Sequence, residues 1–404
     1  MDRLRGLAQQ VVDALIRIRP VIGLTSGATL QPRAHCRLRA IDKDEVARRL
    51  VPPSKISEAL AVLPPEVGGI KNARTSKEFT LFFNQVPAEQ FERSILMLSE
   101  QLQNSLLKPE SIFSEMQVIL QEINRAYDTP AKLAYEKTRE HVFQNHPLGH
   151  MVLGTKESIL NFKREDFASF MEHHYYPKNY TFLIAGKVEP DEAENIINKY
   201  FADTSNKENS ARENTAYKRP ENREVVFTSP INQAHINIVA PIESTSEKEK
   251  ICLNLFSIML GAGASSPLFH EIRTKKGLCY SITSGFYAGT DVGLFRVTMA
   301  TGIDKYREAI ESVFLILEKT KTDGDRLKRA KQMKLGRIAL NMENPLDIIS
   351  WAASDIALFG HPIGQDEIST AINSVGIEDI KQTVDKYLSK ENFYTVLLMP
   401  ESPK

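Results

Sequence analysis

Three groups of side chains in this 404-residue sequence are of types that can do chemistry. Histidines gather at His141, His146 and His150 and again at His173 and His174, so metal ligation is the first chemistry to test. The HExxH pattern would require a histidine at 274, where the chain has Thr274, and HxxEH ending at His173 would require one at 169, where it has Ser169. A ligand set needs three converging side chains, so these histidines are expected in turns, caps or on the surface. Glu115 and Glu122 lie seven residues apart within an apolar repeat of Ile112, Met116, Ile119 and Ile123. At helical periodicity both fall on one flank, roughly 100° from the centre of that stripe, where a helix leaves the core. The third group is Leu260–Tyr280, LGAGASSPLFHEIRTKKGLCY. Its glycines could suggest a phosphate loop, but GxxxxGK[ST] is absent and the preceding helix would present the wrong end of its dipole to an anion. A tight connection between two helices is the expected structure.

These groups need a scaffold, and the sequence from Ser54 onward reads as one. Helices are expected at Lys55–Leu63, Pro87–Leu106, from Pro109 to about Tyr127, at Lys132–Phe143, Arg164–His174 and Glu189–Phe201. Strands are expected at Phe79–Phe83 and Tyr180–Ile184, because aromatic and β-branched residues suit a pleated surface. Residues 203–222 contain no aliphatic side chain larger than alanine and cannot bury enough apolar area to order themselves, so they read as a linker. Beyond it come strands at Val225–Thr228, His235–Ala240, Cys279–Phe286, Gly293–Met299 and Tyr394–Met399, with helices at Lys248–Leu260, Lys305–Thr320 and Asp325–Asn341. Each half alternates helices and strands and ends in strand or helix after a run of the type Y-x-x-F-L/V-L-L, which suggests a weak internal duplication. The expected domains are an atypical segment 1–53, a first domain 54–202, a linker 203–222 and a second domain 223–404.

Composition narrows the function classes. Lys+Arg and Asp+Glu both number 51, so no basic excess invites a nucleic acid. No run approaches the ~18 apolar residues of a membrane span. Three scattered cysteines, Cys36, Cys252 and Cys279, exclude a disulfide scaffold and fit a reducing, cytoplasmic setting. One oddity stands out: residues 1–53 hold nine arginines and one lysine, whereas the remaining 351 hold fourteen arginines and twenty-seven lysines.

Four ordered stretches of this chain resemble the insulinase/pitrilysin family of zinc peptidases, the inverzincins, at the size of one subunit of the mitochondrial-processing-peptidase type. They are GGIKNARTSKEFT (Gly68–Thr80), SEMQVILQEI (Ser114–Ile123), the HPLG…YYPKNYTFLIAGKV run (His146–Val188) and LGAGASSPLFHEIRTKKGLCYSI, where Pro267 replaces the family's usual arginine. The resemblance implies an α+β fold of two homologous units, each a mostly antiparallel sheet backed by helices. It further implies Glu122 as the distal zinc ligand with Glu115 as its companion, and Asn72–Ala73 as an edge on which a peptide substrate pairs its backbone. Arg273 and Tyr280 would come from the second unit to the substrate carbonyl and the oxyanion. The family's HxxEH should precede Glu122 by roughly seventy to eighty residues. That window reads Asp42-Lys43-Asp44-Glu45-Val46-Ala47-Arg48-Arg49-Leu50, and His35 is the one histidine before 141.

The defect thus falls inside the arginine-skewed segment, and three explanations stand. The chain is a non-catalytic member that pairs, as a homodimer or with an HxxEH-bearing homologue. Alternatively, residues 1 to about 52 are an out-of-frame reading, which the retention of Glu115 and Glu122 favours. In the third, Arg3–Arg19 is an organelle-targeting helix, which leaves the missing histidines unexplained.

Overall fold

The computed structural model describes residues 69–201 and 215–401. The arginine-rich segment, the helix expected at 55–63 and positions 203–214 of the expected linker lie outside the described residues. A hairpin opens the first part: Ile70–Thr75 (β1) pairs antiparallel with Thr80–Gln85 (β2). Its turn is closed by Ser76, whose N–H and hydroxyl both donate to the Phe79 carbonyl at 2.8 and 2.9 Å.

Helices then follow the apolar periodicity. Phe91–Gln103 (α1) buries Ile95, Met97 and Leu102. Pro109–Tyr127 (α2) begins on a proline, whose missing N–H would have had no helical partner at that position anyway, and buries Ile112, Ile119 and Ile123, the stripe read from sequence. Pro130–Val142 (α3), Lys156–Asn161 (α4), Arg164–His174 (α5) and Pro190–Phe201 (α6) complete this half.

The strand expected at Tyr180–Ile184 is not formed. Its side chains alternate as a strand's would: Tyr180, Phe182 and Ile184 pack with Ile95, Leu102, Ile197 and Phe201, while Leu183 and Ala185 pack with Ile348 and Ala352. What it lacks is a ladder, since among the described residues no backbone hydrogen bond joins 181–186 to another segment. Sequence propensity places side chains on alternating faces, but a strand also requires a partner.

The second sheet is complete. Glu224–Ser229 (β3) and Ala234–Glu243 (β4) precede Glu247–Gly261 (α7), and Cys279–Tyr287 (β5) and Val292–Thr301 (β6) follow it. Next come Tyr306–Thr320 (α8), Gly324–Asn341 (α9), Pro345–Phe359 (α10), Gln365–Ser374 (α11), Ile377–Tyr387 (α12) and Tyr394–Pro400 (β7). The helices α4 and α10–α12 are additions to the elements read from sequence. The strand order is β3-β7-β4-β6-β5, antiparallel except for β3 with β7. Successive residues of β6 face opposite layers: Leu294 joins Val142, Phe143, Val239 and Tyr394, and Phe295 stacks on Phe256 of α7 at 5.9 Å between centroids. Helices therefore cover both faces, which is why β4 is buried at eight of its ten positions.

The chain folds as an α+β protein of two compact units that interleave along the sequence. Among the described residues the first gathers 69–123, 150–201 and 340–364, and the second gathers 124–149, 215–339 and 365–401. Residues 215–222 carry no regular structure, yet Tyr217 packs on Phe143 and donates its hydroxyl to the Val142 carbonyl at 2.9 Å. No helix among the described residues is long and apolar enough to cross a membrane.

Candidate functional site

In the first unit, α2 carries both candidate carboxylates. Glu115 is half-buried and Glu122 exposed. Burial pushes the Glu115 carboxyl above the usual range, and the negative charge of Glu122 adds to the rise. The seven-residue spacing thus brings the two acids within electrostatic reach of each other. Among the described residues no three His, Cys, Asp or Glu side chains come together as a group that could hold a metal ion, and HxxEH occurs nowhere in the sequence. A catalytic zinc needs three protein ligands. The residues present do not fit that ion, and no chemical step is assigned through it.

The histidines serve the scaffold. His146 is buried, accepts the Leu148 N–H at Nδ1 (3.2 Å) and consequently carries its proton on Nε2, which faces Asp291 Oδ2 at 3.1 Å. This bond ties the HPLG turn to the second unit's sheet. Beneath the same turn the buried Arg139 donates twice to the Leu148 carbonyl (3.1 and 3.0 Å). His141 meets the Asn222 carbonyl at 2.9 Å, His173 the Ser169 carbonyl at 2.6 Å, and the His174 ring packs at a 44° tilt against Phe170.

Asn72 and Ala73 sit side by side on β1, opposite Phe83 and Phe82, and both are exposed. The Asn72 side chain accepts the Ala73 N–H at 2.8 Å. Among the described residues β1 pairs with β2 alone, so its other edge presents backbone donors and acceptors to an extended chain.

In the second unit, the stretch after α7 winds into a seven-residue π-helix, Phe269–Lys275, a geometry often found at functional sites. It aims Arg273 so that its guanidinium lies 4.3 Å from the Phe269 ring and 5.0 Å from the Tyr280 ring. Tyr280, at 79% exposure, leads β5 into solvent. Both residues line a recess of about 300 Å³ with Gly261, Gly263 and Ser281–Thr283. The glycines are required there: a Cβ at Gly261 would fall 2.5 Å from the Ser284 nitrogen, and Gly263 has φ +81°. The recess presents a guanidinium and a phenol, both hydrogen-bond donors suited to a carbonyl or an oxyanion. Phe269 belongs to no sequence motif for a donor or a ligand; its spacing of four residues from Arg273 is the signal in the sequence that the two side chains meet.

Comparisons with known proteins agree with this fold. The profile described as Insulinase (Peptidase family M16) matches residues 55–156, and that described as Peptidase M16 inactive domain matches residues 161–334. An uncharacterized zinc protease of Rickettsia felis is 30% identical over 333 residues, covering 80% of this chain and 79% of its own. The uncharacterized zinc protease YmxG of Bacillus subtilis is 24% identical over 352 residues, covering 86% of this chain and 85% of its own. Among solved structures, a protease from Helicobacter pylori superposes with TM-score 0.81 at 20% identity, covering 90% of this chain and 92% of that one. A peptidase M16 inactive domain from Pseudomonas fluorescens gives 0.78 at 17% identity, covering 91% and 92%.

Proposed function

Because this chain belongs to the insulinase family of peptidases (peptidase family M16), we propose that it is a catalytically silent, peptide-binding member that acts beside an HxxEH-bearing homologue. One observation carries the reading: Glu115, Glu122, Arg273 and Tyr280 are all present, yet the sequence contains no HxxEH to supply two imidazoles and the general base. In this role the β1 edge at Asn72–Ala73 pairs the backbone of an extended peptide or unfolded segment. Arg273 and Tyr280 donate hydrogen bonds to a peptide carbonyl, and the ring contact with Phe269 holds the guanidinium in place. The test mixes this chain with an HxxEH-bearing homologue and follows cleavage of a quenched peptide. Arg273→Ala or Tyr280→Phe in this chain should lower the rate about a hundredfold or more, the scale of losing one oxyanion donor; unchanged rates from both variants would overturn the proposal.

A second reading rests on the arginine skew of residues 1–53 together with the retained Glu115 and Glu122. In it the segment is an out-of-frame product, and the gene's intended chain is a zinc metalloendopeptidase. An HxxEH-encoding frame overlapping codons 1–53 would establish it, and the absence of one would eliminate it.

A further inference from the structure

The first unit contains a cavity of about 470 Å³ whose walls include every residue from 78 to 88 and every residue from 179 to 188. Alternate residues of an extended chain point to opposite faces, so a cavity on one face would touch every second residue. Contact with all of them places this cavity at the edges of two extended segments, β2 on one side and 180–186 on the other. Both edges present backbone groups rather than one apolar face. β2 is bonded on its β1 side, and 181–186 makes no backbone bond to another described segment. Hydrogen-bonding groups left unmatched in an apolar setting cost free energy, and a strand inserted between the two segments would match both rows at once.

The second unit shows what such a strand is. There the β5–β6 hairpin stands where β1–β2 stands, and β7, FYTVLLMP at 393–400, matches NYTFLIAG at 179–186. Between β6 and β7 lies β4, antiparallel to both, in register from Ala234↔Thr301 on one side and from His235↔Leu398 on the other. β4 is Ala234–Glu243, AHINIVAPIE, ten residues whose only acidic or basic side chain apart from His235 is the terminal Glu243. Ahead of β1 this chain offers one charge-free run of that length, Pro20–Pro32; its prolines stand at the two ends, and the interior, VIGLTSGATLQ, has Gly23 and Gly27 and no aromatic side chain, which makes it a weaker strand former than β4.

We propose that the slot between β2 and residues 180–186 is a strand-acceptor site, which takes an extended, charge-free segment of another polypeptide as a strand antiparallel to both walls. The site is the opposite edge of the hairpin from Asn72–Ala73 and does not depend on the role proposed for that edge. The slot's lining is mostly apolar, with Leu81, Phe83, Leu183 and Ile349 among its walls, so the occupant must be apolar on both faces.

The experiment uses the full chain and a labelled synthetic peptide with the β4 sequence AHINIVAPIE as probe. Fluorescence anisotropy should show saturable binding, and hydrogen exchange should slow about tenfold or more at amides 80–85 and 181–186 while β7 stays unchanged. The same peptide with Ile238→Asp should bind about tenfold more weakly or not at all, because the slot would bury an unpaired carboxylate. The proposal is overturned by unaltered exchange in both segments, by equal binding of the Asp peptide, or by both segments being protected before peptide is added, which would mean that the chain fills its own slot.

Discussion

The two units contain similar apolar runs, YTFLIAG at 180–186 and YTVLLMP at 394–400, and treat them differently. In the second, Tyr394–Pro400 lies between β3 and β4 with ladders on both sides. In the first, YTFLIAG has the same alternation of apolar side chains and the same helical cover, yet it is not a strand. Strand formation is therefore decided by the neighbouring backbone rather than by the segment's own residues. The two units also use their carboxylates differently. Glu249 caps α7 and is fixed in a network with Ser246, Lys386 and Tyr387, whereas burial and the neighbouring Glu122 only raise the pKa of Glu115.

The largest expected contrast is in hydrogen exchange. Amides of β7 should exchange about a hundredfold or more slowly than those of 181–186 in the same sample. Equal protection would show that the first unit's segment has a ladder after all. The next contrast is in packing: Leu397→Ala, at a position 1% exposed, should cost about 2–4 kcal/mol in denaturant unfolding. The matching Leu183→Ala, half-buried and beside the cavity, should cost about 1 kcal/mol. Similar losses at both sites would remove the distinction between the units.

A smaller effect probes Glu249. Burial alone would raise its carboxyl, but hydrogen bonds from Lys386, from the amide and hydroxyl of Ser246 and from Tyr387 outweigh it and hold the pKa at about 2. A folded-state pKa below the unfolded one gives stability that is present above about pH 4.5 and is lost as pH falls toward 2. Glu249→Gln should therefore cost about 1 kcal/mol at neutral pH and lose most of that deficit below pH 3. A deficit that persists unchanged at low pH would contradict the assignment.

Much of this was legible in the sequence, for identifiable reasons. The spacing of Ile112, Ile119 and Ile123 located α2, and Arg164–His174 was read to its observed limits, because amphipathic periodicity is a local property. The strands of the second sheet were found from β-branched and aromatic runs. Helix α10 makes no bold apolar stripe because its buried residues, Ala352, Ala353, Asp355, Ile356 and Ala357, are mostly small and one is charged. α12, eleven residues like Arg164–His174, buries Ile380, Thr383 and Val384 at helical spacing, so its signal is present in the sequence. The failed strand at Tyr180–Ile184 and the interleaving of the units both depend on which distant segments meet, and that is not written in any local pattern. At the candidate sites, the Glu115/Glu122 pair and the Arg273/Tyr280 pair could be anticipated from spacing and family motif. The π-helix and the ring of Phe269 that orient Arg273 emerged only in three dimensions.

Glu115 and Glu122 stand in the first unit of a chain that has no HxxEH to supply the imidazoles a catalytic zinc needs. Zinc content of the purified full chain after exposure to equimolar zinc and removal of free metal tests this most directly. The account expects no stoichiometric zinc and no hydrolysis of a quenched peptide by the chain alone. One zinc per chain, lost together with peptidase activity in Glu122→Gln, would contradict it.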